Sequence, residues 1–81
     1  MVSPSQCRAA RGLLDWSQQK LADSARVGVV TIRQFEAGTH VPRRATVEVV
    51  RRCFEDAGVE FIGTPTDRPG VRLSLAAKGD K

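Results

Sequence analysis

The sequence predicts a mainly α fold, four short helices followed by a C-terminal β-hairpin, on three observations. Apolar residues recur at helical spacing in four runs ahead of Gly58. Capping and stop residues separate those runs. Beyond Gly58 the texture changes to two short, largely alternating β-rich runs, Val59–Ile62 and Val71–Leu75. Between them lies Gly63–Gly70, a turn-forming stretch with two prolines and two glycines.

Ser3, Pro4 and Gln6 form an N-terminal signature for the first helix: a capping hydroxyl, a proline at the first helical position and the partner of a capping box. Cys7, Ala10, Leu13 and Leu14 give it an apolar stripe. Gly12 costs it about 1 kcal/mol relative to alanine. Asp15 is suited to end it, because Asp tolerates left-handed backbone better than most residues. Trp16 is the largest apolar side chain and is expected to plug the space between helices.

Ser17 caps a second helix whose inward face is Leu21, Ala22 and Ala25. Arg26-Val27-Gly28 breaks the pattern, and apolar positions resume at Ile32 and Phe35 before Gly38 stops the third helix. The small Ala22 and Ala25 allow two helices to cross steeply over a short turn, with Val27 in the corner. This is the inward set of a helix-turn-helix. It leaves Val29, Val30, Thr31, Arg33 and Gln34 as the outer face of the third helix.

Thr39 to Arg44 reads as a loop, with Pro42 biasing Val41 towards extended backbone. Ala45 to Ala57 is the fourth helix, its buried face marked by Val47, Val50, Phe54 and Ala57. Glu48–Arg52 and Arg51–Glu55 are i,i+4 pairs expected on its outer side. Gly58 terminates it. The hairpin, expected with a long loop, is marginal alone and must dock on the helices or pair with another chain. The division expected is a helix-turn-helix domain over 1–58, the hairpin over 59–75 and a frayed tail over 76–81.

At 81 residues the chain forms one small domain near the lower limit for a self-sufficient core. It has no run of about 18 apolar residues that would span a membrane. No signal peptide is visible, so a cytoplasmic, nucleoid-associated protein is expected. Cys7 and Cys53 read as reduced, small core residues, and with one His they do not make a zinc set. No Ser/His/Asp set and no glycine-rich phosphate loop is present. An enzyme is therefore not expected, nor a cofactor or metal.

Charge is unevenly distributed. Arg8, Arg11, Lys20, Arg26, Arg33, Arg43 and Arg44 face only Asp15, Asp23 and Glu36 over residues 1–45, while residues 46–81 balance. The whole formal charge of +4 therefore lies with the helix-turn-helix. A polyanion partner follows. With the third helix in a major groove, Arg33 is suited to guanine and Gln34 to adenine. Val29, Val30 and the Thr31 methyl are suited to thymine methyls.

Two stretches carry a family resemblance. One is Arg8 to Ala22, the pattern RxxRxLLxWSQxxLA, and the other is Thr31 to Gly38, the pattern TIxxxExG. The chain resembles the phage-repressor, or XRE-type (Cro-like), helix-turn-helix regulators over roughly Pro4 to Ala57. The resemblance implies a four-helix repressor-like domain that binds double-stranded DNA and regulates transcription. It implies an internal ion pair between Arg11 and Glu36, the alternative being two independent surface charges. It places Gln18 at a phosphate-contacting position, aided by Ser17 and by N–H groups at helix N-termini such as that begun by Gly28. It lays the loop bearing His40, Arg43 and Arg44 along the DNA backbone or minor groove. Three departures stand out: Arg26 where the family has glycine, Gly28 where it has a polar cap, and a hairpin where it more often has a fifth helix. A homodimer on a palindromic site is expected, with residues 59–75 contributing to its interface. The alternative function is an antitoxin-like protein that binds a partner protein and autoregulates its operon.

Overall fold

Ser3 starts the first helix as its signature requires. In the computed structural model, which describes residues 2–64 and 66–74, its hydroxyl accepts from the Gln6 N–H at 3.1 Å. The Gln6 side chain accepts in return from the Ser3 N–H at 3.0 Å. Helix α1 runs Pro4–Leu14 and stops at Asp15, whose backbone is left-handed with φ 58°. Helix α2, Gln18–Ala25, is capped by the Ser17 hydroxyl, which accepts from the Lys20 N–H at 2.9 Å. Arg26 closes α2 at φ 60°. Helix α3, Val29–Ala37, begins at Gly28 without a side-chain cap and ends at Gly38, φ 74°. Helix α4 is Arg44–Asp56, beginning a residue earlier than expected and ending at Ala57, so Ala57 caps the helix rather than extending it.

Of the inward set read from spacing, α2 and α3 bury Leu21, Ala22, Ala25, Ile32 and Phe35, and Val27 in the turn is half-buried against them. Cys7 and Ala10 of α1 and Val47, Val50 and Phe54 of α4 complete the helical core. Trp16 stacks on Phe54 with ring centroids 6.0 Å apart, and Phe61 meets Phe54 edge-on at 6.1 Å. Phe54 thus sits between Trp16 and the hairpin, and Trp16 is half-buried with the Lys20 ammonium 5.7 Å from its ring centroid. Leu13 departs from expectation and lies 42 % exposed. Cys7, Ala10 and Leu14 already define the inward line at i, i+3 and i+7, and Leu13 falls a full 100° step to its side.

Strands β1, Val59–Thr64, and β2, Asp67–Leu73, pair antiparallel with Val59 opposite Leu73 and Phe61 opposite Val71. The long loop expected over Gly63–Gly70 is mostly strand, since pairing continues to Thr64 opposite Asp67 through an irregularity between Ile62 and Thr64. Gly63 makes this possible. Its φ is 74°, and a Cβ there would stand 2.6 Å from the Asp67 carbonyl oxygen. The hairpin docks on its own helices: Val59 is buried, and Phe61, Val71 and Leu73 pack against the core. The buried Gln6 amide pins it, donating to the Ile62 carbonyl at 3.2 Å and the Gly70 carbonyl at 3.0 Å. Of the apolar residues that pointed to a hairpin-mediated dimer, Val59 is buried and Phe61, Val71 and Leu73 are partly covered by the chain's own core. Leu75 and the tail over 76–81 lie outside the described residues. No helix among the described residues is long and apolar enough to cross a membrane.

Candidate nucleic-acid interface

Glu36 is the point from which the α3 surface is held. It lies one turn after Ile32 on the inward side and is buried, at 3 % exposure. Arg11 of α1 grips it with both arms, Nε to Oε2 and Nη2 to Oε1, each at 2.7 Å. The ion pair implied by the resemblance is therefore made, bidentate, which favours one geometry. Arg11 Nη1 also donates to the Trp16 carbonyl at 2.9 Å, tying in the α1–α2 connection. The Cys7 thiol donates to Oε2 at 3.1 Å, and Arg8 reaches the Glu36 backbone carbonyl.

Burial alone would raise the Glu36 carboxyl. Hydrogen bonds from Arg11, Gln18 and Cys7, with the Arg11 charge, outweigh it and hold the group below its ordinary value. The Cys7 thiol is pushed well up, first by burial and then by its bond to that carboxylate, so it stays neutral. The reading of Cys7 as a core residue holds, with an added role as a donor that residue spacing did not disclose.

Gln18 is the first residue of α2, and its Nε2 donates to Glu36 Oε1 at 3.1 Å. An amide nitrogen carries two hydrogens, so one remains for an outside acceptor. Ser17 stands beside it, exposed, at the same helix N-terminus. Gly28 holds the equivalent position ahead of α3.

On α3 the outer face divides. Val30 is 54 % exposed, and Arg33 and Gln34 are exposed. Val29 instead is half-buried and packs against the core, so it is not presented outward as expected. Thr31 is half-buried at the lip of a shallow groove of about 350 Å³. Thr31, Gln34, His40, Pro42, Arg43 and Thr46 line that groove, which joins the recognition-type helix to the following loop. The structure thus brings Thr31, Gln34, His40 and Arg43 together. Arg44, the first residue of α4, is exposed beside them but does not line the groove. Thr46 was missed; its signal was a polar residue in the first turn of α4, one turn beyond Arg43.

Among the described residues, the ion pairs are Arg11–Glu36, Arg51–Glu55, Arg68–Asp67 and Arg72–Glu60. Arg33, Arg43 and Arg44 make none within that set. Unneutralised cations beside an exposed helix face suit a polyanion, and no metal-binding group of His, Cys, Asp and Glu stands among the described residues.

Two helices joined over a three-residue turn, the second presenting exposed Arg and Gln beside a basic loop, define a helix-turn-helix protein of the DNA-binding class. The helix-turn-helix family model matches residues 8–61, more than half of the chain. The chain belongs to that family, the XRE-type DNA-binding regulators. No curated protein matches it.

Proposed function

We propose that the protein is a sequence-specific transcriptional repressor of the prokaryotic or phage type, acting as a homodimer on a palindromic operator. Helix α3 enters the major groove, with Arg33 and Gln34 reading base edges and Val30 and the Thr31 methyl contacting thymine methyls. Ser17, Gln18 and the N–H groups after Gly28 engage phosphates, as do Arg43, Arg44 and His40 along the adjoining backbone. The observation that carries this reading is the coincidence of exposed Arg33 and Gln34 with Arg43 and Arg44, which make no ion pair among the described residues, along one groove-bordered face. Such a regulator works in the cytoplasm on the nucleoid. Binding to a toxin-like protein, with autoregulation of the operon, is the alternative.

The experiment is a salt titration of duplex binding by fluorescence anisotropy. Each phosphate contact contributes about −0.9 to the slope of log affinity against log salt. The Arg43→Ala/Arg44→Ala pair flattens the slope by roughly two such increments and weakens all sequences alike. An unchanged slope with altered base preference would reassign the loop.

A further inference from the structure

Helix α4 carries a surface that the proposed DNA contacts do not use. A groove of about 390 Å³ runs between the end of α2 and the outer side of α4. Its walls include Arg26 from α2's left-handed cap and Glu48, Val49, Arg52 and Asp56 from α4. None of the residues assigned above to DNA lines it. Val49 stands in this stripe 45 % exposed.

The charges here are distinctive. Glu48 and Arg52 are an i,i+4 pair in the favourable order, acid before base, yet they form no ion pair among the described residues. On the same helix Arg51 and Glu55, in the less favourable order, do close at 3.0 Å. The groove holds two cations, Arg26 and Arg52, and two anions, Glu48 and Asp56. It is therefore neutral on a chain of net charge +4. Two copies of a basic protein repel across most of their surfaces and approach best where charge cancels.

We infer that this face of α4 is the contact between two copies of the chain, with the α4 helices antiparallel about a two-fold axis level with Val50. A two-fold interface is self-complementary: if residue i meets residue j, then j meets i. Positions 48 and 52 are equidistant from 50. Glu48 of each copy thus faces Arg52 of the other, giving two reciprocal ion pairs around the exposed Val49 side chains. The occupant is a second copy because the patch supplies both halves of its own charge pattern. The left-handed Arg26, at a position where glycine would be unstrained, adds a second cation to the lining that also carries Asp56.

This inference rests on the homodimer reading and names its surface. The test is sedimentation of the full chain across a concentration series, for the wild type, Glu48→Arg, Arg52→Glu and the double exchange. Both residues are exposed, so circular dichroism and melting temperature are expected to stay at wild-type values. Each single exchange sets like charges opposite each other twice and weakens dimerisation by at least about tenfold. The double exchange restores it. A wild type monomeric throughout overturns both this inference and the homodimer reading. A wild-type dimer that both single exchanges leave unchanged overturns the α4 interface alone. Failure of the double exchange to restore dimerisation argues for a partner surface other than α4 and also overturns it.

Discussion

Glu36 accepts from Arg11 twice, from Gln18 and from Cys7, so one carboxylate joins α1, α2 and α3. Removing one partner from such a pair leaves an uncompensated charge, and Arg11→Met is expected to cost on the order of 3 kcal/mol. The lower end of that range applies because Arg11 is 20 % exposed. Urea melts check it. The sign of the pH dependence follows from the lowered folded-state pKa of Glu36. Its contribution is complete above the unfolded carboxyl value of about 4.3 and is lost as pH falls through the lower folded value. Urea midpoints of the wild type taken downward from about pH 6 should therefore decline below about pH 4.3, and Glu36→Gln should decline less. A mutant with the same decline would assign the acid sensitivity to other carboxylates. Arg26 makes the opposite prediction. Its left-handed backbone costs roughly 1 kcal/mol, so Arg26→Gly should raise the melting temperature. A drop would mean that the arginine side chain stabilises the monomer by more than its backbone costs.

At the scale of elements, the hairpin depends on two residues far apart in sequence. Gln6→Ala leaves the Ile62 and Gly70 carbonyls without their donor; both bonds are part-buried, so each loss costs about 1 kcal/mol, the lower end for an unpaired group. Gly63→Ala forces a side chain against the Asp67 and Arg68 carbonyls at positive φ. Both variants should lose hairpin amide protection in hydrogen exchange before the helices lose theirs. Simultaneous loss would show that hairpin and helices open as one unit.

These elements also mark what the sequence discloses. Helix ends at Ser3, Asp15, Ser17 and Gly38 are legible because a cap acts on backbone within three residues of itself. The inward set of α2 and α3 is legible because burial repeats at the helical period. The second role of Gln6 is not, since its partners lie 56 and 64 residues away and no local pattern encodes them. Likewise Val29 shares apolarity with Val30, and only the packed fold separates the one against the core from the one facing out. The expected Glu48–Arg52 pair satisfied every local rule and still did not close, whereas Arg51–Glu55 did.

Across the whole molecule, a helix-turn-helix tied by the Arg11–Glu36 pair carries an excess of positive charge. The small core makes each large side chain matter: Phe35→Ala, at 7 % exposure, should cost on the order of 3–5 kcal/mol. Arg33→Ala and Gln34→Ala remove exposed side chains and should leave melting unchanged. The central claim is that these two outward residues of α3 read DNA sequence. Selection of bound sequences from a random duplex pool tests it most directly. The wild type should enrich a two-fold symmetric site with half-sites about 10 base pairs apart, centre to centre. Arg33→Ala and Gln34→Ala should each relax preference at a defined position in both half-sites, by about 1–3 kcal/mol for a bidentate contact. Enrichment of an identical motif by all three proteins, or none by the folded wild type, would contradict it.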